Sequence, residues 1–195
     1  MKIEITLIEE MLGTKAADPE VFATFIASKA PDDDKRREEI ETADAREQSG
    51  TTIFHKQNGN VGLWDYQIKG FFKDACGAMN RFDKEMRGGL EKLSAYKTKI
   101  DGCIFVFPRF ITMTLPPGEP VGLCERPLRA ETAQGPRVSV CRSETVPVGT
   151  MIQCEIQIMS KELNPYVSAW LDYGKLRGLG QWRNSGKGRF LWTAV

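Results

Sequence analysis

Near the start of the chain apolar residues alternate with polar ones: Ile3, Ile5 and Leu7 share one face at period two, which predicts a strand over residues 2–8. The period then changes. Val21, Phe22, Phe25 and Ile26 make an apolar stripe behind Asp18 and Pro19, a capping acid followed by a first-turn proline, which predicts a helix over 18–28. A second, more exposed helix is expected over the charged segment after Pro31, ending near Ser49–Gly50. Residues 51–55 read as a short strand running into a turn at Gln57-Asn58-Gly59, because Asn-Gly adopts positive φ at little cost. Over 66–79, Ile68, Phe71, Phe72, Ala75 and Met79 recur at helical spacing, with Lys69 and Lys73 together on another face. Gly70 and Gly77 interrupt that helix, and each is expected to admit a close neighbouring backbone.

Residues 83–99 are polar and give no period. Strands are expected at 103–107 and 110–115 on either side of Pro108, at 137–141, and at 150–159, where Ile152, Cys154, Ile156 and Ile158 alternate with Gln153, Glu155 and Gln157. A last helix is expected over 165–176 and a terminal strand over 188–193. Strands and helices mix without regular βαβ repetition, so the fold class is α+β. No internal repeat or linker divides the 195 residues, and a single domain with an acidic helical insertion at about 15–49 is expected.

Composition changes this picture only locally. With 27 Lys and Arg against 26 Asp and Glu, net charge points to no nucleic-acid or membrane partner. The signs are segregated, however. Asp32, Asp33, Asp34, Glu38, Glu39, Glu41, Asp44 and Glu47 crowd one stretch, whereas the residues after Asp172 include Lys175, Arg177, Arg183, Lys187 and Arg189 and no acid. No apolar run is long enough for a membrane helix and no signal peptide opens the chain, so a cytoplasmic protein is expected. Cys76, Cys103, Cys124, Cys141 and Cys154 are scattered without a CxxC pair and with only His55 to join them; reduced core thiols are expected ahead of a zinc site, with no metal and no cofactor.

The densest chemistry lies in Gly178–Phe190, GLGQWRNSGKGRF, which combines two Gly-x-Gly pairs with Trp182, Arg183, Lys187 and Arg189. Uncovered amides and cations in such a loop suit a phosphate chain, and an indole suits a base. The spacing is neither a dinucleotide fingerprint nor a P-loop. In the middle of the chain, Glu125 to Arg137 reads as a loop or β-excursion. There Arg126 is expected to brace carboxylates such as Glu125, while Arg129 and Arg137 are assigned to nucleic acid.

These segments, taken in order, resemble the RAMP superfamily, the RNA-binding proteins of CRISPR systems, and particularly its backbone subunits. The tail resembles the family's C-terminal glycine-rich loop. Tyr66-Gln67-Ile68-Lys69-Gly70-Phe71-Phe72-Lys73, behind a tip at Lys56-Gln57-Asn58-Gly59, is similar to its Ser-Ser-x-Lys-Gly helix start. Glu144-Thr145-Val146-Pro147-Val148-Gly149-Thr150 is similar to its Glu-x-Val-Pro-x-Gly-Thr segment. The likeness covers residues 2–14, 51–79 and 137–195.

The resemblance implies a modified ferredoxin-like (RRM-type) antiparallel sheet with helical and loop insertions. It also implies a stand-alone, prophage or mobile-element RNA-binding protein of antiviral defence, whose partners are a guide or target RNA, CRISPR effector subunits and further copies along RNA. The RNA contacts it implies, joined to the reading of the loop, are Lys69, Lys73, Arg129, Arg137, Trp182, Arg183, Lys187 and Arg189, with no catalytic residue. Target-cleaving relatives carry an aspartate where this chain has Gln48-Ser49-Gly50-Thr51-Thr52. Two alternatives stay open. One is a protein-interaction mimic that docks on or inhibits a CRISPR effector. The other is a ribonuclease using Asp44, Glu47 or His55.

Overall fold

The computed structural model describes residues 1–18, 51–132 and 135–195, with side chains throughout except at 128–139. The helices expected at 18–28 and 32–49 lie outside the described residues.

The core sheet begins with β1 (Lys2–Leu7), whose Ile3, Ile5 and Leu7 all face inward as their alternation dictates. After β1 come β2 (Met11–Leu12) and β3 (Lys15–Ala16), then β4 (Thr51–Ile53), β5 (His55–Gln57) and β6 (Asn60–Trp64). The turn between β5 and β6 is the expected one, with Asn58 at φ 52° and Gly59 at φ 81°. Helix α1 (Asp65–Met79) follows directly. The side-chain carbonyl of Gln67 accepts the Trp64 N–H at 2.8 Å and closes its first turn. The polar stretch after it holds a short helix, α2 (Tyr96–Cys103), which leads into β7 (Ile104–Phe107) and, past the cis Phe107–Pro108 peptide, β8 (Phe110–Thr114).

Strands β9 (Gly122–Thr132) and β10 (Gly135–Val146) form one long antiparallel hairpin, paired from Gly122↔Thr145 to Thr132↔Gly135. The segment expected as a loop or β-excursion is therefore a strand pair. The chain ends with β11 (Met151–Ile158), α3 (Asn164–Arg177) and β12 (Phe190–Ala194).

Strand order in the main sheet is β12-β1-β11-β8-β6-β5, with β7 also on β11, and every pairing in it is antiparallel. Helix α1, between β6 and β7, and α3, between β11 and β12, both pack on the sheet, which gives the ferredoxin-like α+β arrangement. A second sheet joins β2, β10, β4 and β3, with β9 on β10. Ile68, Phe71, Phe72 and Ala75 of α1 and Val167, Trp170 and Leu171 of α3 close the core over β1, β11 and β12. Phe72 stacks on Trp170 at 5.7 Å and Phe71 meets Phe190 edge-on at 5.3 Å. Gly174 sets how closely α3 rides on β12, since a Cβ there would enter the Phe190 ring. The two glycines of α1 behave differently from expectation: Gly70 faces open space, and Gly77 meets the Tyr96 hydroxyl, a side chain instead of a backbone. No helix among the described residues is long and apolar enough to cross a membrane.

Candidate nucleic-acid interface

The loop from α3 to β12 is built by closure of its two limbs. The Leu179 N–H donates to the Gly188 carbonyl at 2.8 Å, and the Gly188 N–H donates to the Glu10 carbonyl at 2.8 Å in the β1–β2 turn. Gly178 has φ 75° with the Lys187 carbonyl 2.5 Å from where its Cβ would stand, and a Cβ on Gly188 would overlap the Leu179 carbonyl. Ser185 and Gly186 donate back to Trp182 and Arg183 within a single 3₁₀ turn, Arg183–Ser185. The glycines thus serve close packing, and the amides of Gly178, Leu179, Ser185, Gly186 and Gly188 are all used internally. These five donors are therefore not open to a ligand, which narrows the expected amide cradle. Those donors could not stay open, because a buried loop limb must satisfy its own backbone.

What the loop presents outward is side chains. Gly180, Gln181, Trp182, Arg183 and Asn184, with Arg177 from the end of α3, line an open pocket of about 430 Å³. Arg177 grips both carboxylate oxygens of Asp74 on α1, Nε to Oδ2 at 2.7 Å and Nη2 to Oδ1 at 3.1 Å, and Arg183 Nη1 reaches the same Oδ2 at 2.7 Å. Two guanidiniums share one carboxylate, so a positive charge remains in excess. Burial alone would raise the Asp74 carboxyl, but the Arg177 hydrogen bonds and the Arg183 charge outweigh it and hold the group below its ordinary value.

Trp182 sits in the left-handed region at φ 55°, half-exposed. On its inner side the Arg126 guanidinium of β9 lies over the ring, 4.7 Å from the centroid. Arg126 was expected to brace a carboxylate; instead its Nη2 points to Gln181 Oε1 at 3.5 Å and Cys141 Sγ at 3.7 Å. Its side chain faces the loop and Glu125 the opposite side of the strand, where Arg142 takes Glu125 at 2.8 Å.

The other expected contacts are dispersed. Lys187 pairs with Glu10, and Arg189 rests its guanidinium against Gly186 with Nε buried. Lys69 donates to the Asp101 carbonyl at 3.2 Å and lies over the Phe105 ring, while Lys73 pairs with the Asp101 carboxylate at 2.6 Å. At about 100° per residue, Lys69 and Asp74 stand roughly 140° apart around α1. The lysine pair and the arginine pair therefore occupy opposite flanks of one helix, with Gly70 on the open crest between them. Arg129 and Arg137 belong to β9 and β10 opposite Val138 and Ala130, and their side chains lie outside the described set. His55 packs edge-on against Trp64 at 6.1 Å; burial and the Lys15 charge hold its imidazole below the usual value.

Sequence reasoning missed Asp74, Arg177, Gln181 and Arg126 as members of this cluster. Arg177 carried a signal, standing directly before the glycine loop. Asp74 carried none, because its partners lie more than a hundred residues away.

The fold is shared with an RNA-bound structure. A chain in the cryo-EM structure of the type III-B Cmr-beta bound to cognate target RNA superposes with a TM-score of 0.52 at 12% identity, over 98% of this chain. This chain spans 57% of that one's length. A chain of a type IV-B CRISPR complex aligns over all of this chain and 89% of its own, at 12% identity and a TM-score of 0.45. No family model matches, and no curated protein matches in sequence.

Proposed function

We propose that the protein is a non-catalytic, CRISPR-associated single-stranded RNA-binding protein that holds the strand by its backbone with little sequence preference. The observation that carries this reading is the convergence of Arg177 and Arg183 on the single Asp74 at an open pocket floored by Trp182. That arrangement offers an excess cation for phosphate beside an aromatic face for a base. The fold likeness to a chain of an RNA-bound assembly supports the same reading. From the pocket the strand crosses the α1 crest at Gly70 and reaches Lys69 and Lys73, which also outnumber their one carboxylate, Asp101. Arg129 and Arg137 contribute from the hairpin, and Lys187 and Arg189 mainly support the loop.

The test is a filter-binding titration of single-stranded RNA over a range of salt. Log affinity should fall linearly with log salt, by about 0.7 per phosphate contacted. An absence of affinity at the lowest salt would end the proposal. Labelled RNA should stay intact with and without divalent metal.

One observation favours the second reading, a mimic that docks on a CRISPR effector: two exposed cations away from the pocket are matched with acids, Lys56 with Glu144 and Arg142 with Glu125. Capture of an effector by protein that retains no RNA affinity would replace the first reading with this one.

A further inference from the structure

Two costs converge on Trp182. Its own backbone is held at φ 55°, a region that a bulky L-residue rarely adopts, and structures retain such outliers where something is gained from them. Behind it, Arg126 is 94% buried (6% exposed), yet Nε and Nη1 have no hydrogen-bond partner among the described residues and no acid among them pairs with it. A buried guanidinium short of partners is costly, and packing alone would be met better by an apolar side chain. Together the two fix the indole: the cation lies over one face of the ring at 4.7 Å, and the residue, still 39% exposed, also lines the pocket of about 430 Å³.

The remaining lining is equally particular. Gln181 and Asn184 bring one amide each to the rim, able to donate and to accept, and Arg177 and Arg183 bring donors for a phosphate on the α1 side. A continuous backbone groove would need only cations. This site adds a rigid stacking floor, edge-reading amides and a phosphate clamp around a volume suited to a small ligand.

We infer that this pocket is a discrete site for one nucleotide of the bound strand: its base stacks on Trp182, its phosphate lies at Arg177 and Arg183, and Arg126 acts as a positioning residue that holds the indole from behind. The inference rests on the RNA-binding reading and makes it specific, since one everted nucleotide is gripped harder than its neighbours. A cation against one face of an indole also draws density from the ring, which strengthens stacking of an electron-rich base on the other.

The experiment uses the whole chain and two probes: the four 5′-ribonucleoside monophosphates, followed by tryptophan emission, and a single-stranded RNA, followed by filter binding against salt. A monophosphate should quench part of the emission of the four tryptophans, and Trp182→Leu should remove that quench. Trp182→Leu should weaken RNA binding by about 5- to 150-fold, and Trp182→Phe by clearly less. Arg126→Met should weaken RNA binding without changing the salt slope, whereas Arg183→Met should reduce the slope by about 0.7. Circular dichroism and urea midpoints identify any variant that has merely unfolded; for such a variant Trp182→Phe and the monophosphate titration of wild type decide. Wild-type RNA binding with no monophosphate quench, and with Trp182→Leu at wild-type affinity, would overturn the pocket while leaving the RNA reading intact. An equal loss of slope in Arg126→Met and Arg183→Met would overturn the positioning role, and wild type with no RNA affinity would refute the broader reading itself.

Discussion

Asp74→Asn separates the stability that the Asp74 cluster contributes from the RNA contact proposed for it. In the native protein the carboxylate accepts two bonds from Arg177 and one from Arg183, and the three side chains are only 27–30% exposed. Exposed pairs contribute about 0.2–1 kcal/mol, and breaking a fully buried one costs about 3–5 kcal/mol. This cluster lies between those limits, so removing its anion should cost about 2 kcal/mol. For a chain of this size that lowers Tm by about 4–8 °C. RNA binding should move the other way. Freed of their shared anion, Arg177 and Arg183 present one more unit of charge, so affinity at low salt should rise and the salt slope should steepen by about 0.7. Asp74 also predicts the pH dependence. Its folded pKa is lowered, so its stabilisation is complete above the unfolded value near 3.8 and is lost as pH falls through the folded value. The difference in urea midpoint between wild type and Asp74→Asn should therefore be full at neutral pH and shrink in strong acid. Equal stability of the two proteins at neutral pH, or a shallower salt slope in the variant, would refute the reasoning.

Other outcomes follow from individual positions. Gly188→Ala combines φ 70° with a clash against the Leu179 backbone and should cost about 3–5 kcal/mol or prevent folding, measurable by urea denaturation. Gly70→Ala lies mid-helix with open space above it and should stabilise by about 0.5–1 kcal/mol; its RNA affinity should fall if the strand crosses that crest as proposed. Burial pushes the Cys76 and Cys154 thiols up to about 11, so both should resist alkylation at neutral pH in the folded protein and react once it is unfolded, as mass spectrometry can follow.

The main sheet and both long helices were legible because each buries one face against a common core. Ile3, Ile5 and Leu7, the Ile68 to Met79 stripe, and the alternation from Ile152 to Ile158 all carry the period of the element they form. Strand β9 was not legible, because Pro127 and its charged residues interrupt any alternation. The glycine loop lies where it was expected, but the close packing that Gly178 and Gly188 serve within it was not legible. Whether a Gly-x-Gly pair offers its amides outward or closes on itself depends here on Leu179 meeting Gly188 and on Glu10 reaching in from the first turn, contacts between distant positions. The same non-locality hid Asp74 and turned Arg126 from a brace into a support for Trp182.

The hairpin gives that support a mechanical dimension. Beyond Cys141, β10 pairs only with β9 among the described residues, so the distal part is a two-stranded arm, and Arg126 stands where the arm leaves the body of the molecule. From Arg126 to the tip at Thr132 is about 20 Å of strand. A neighbour that seizes the tip would pull on the strand that carries Arg126, a lever whose short end rests on the Trp182 indole, and so could reshape the proposed pocket from a distance.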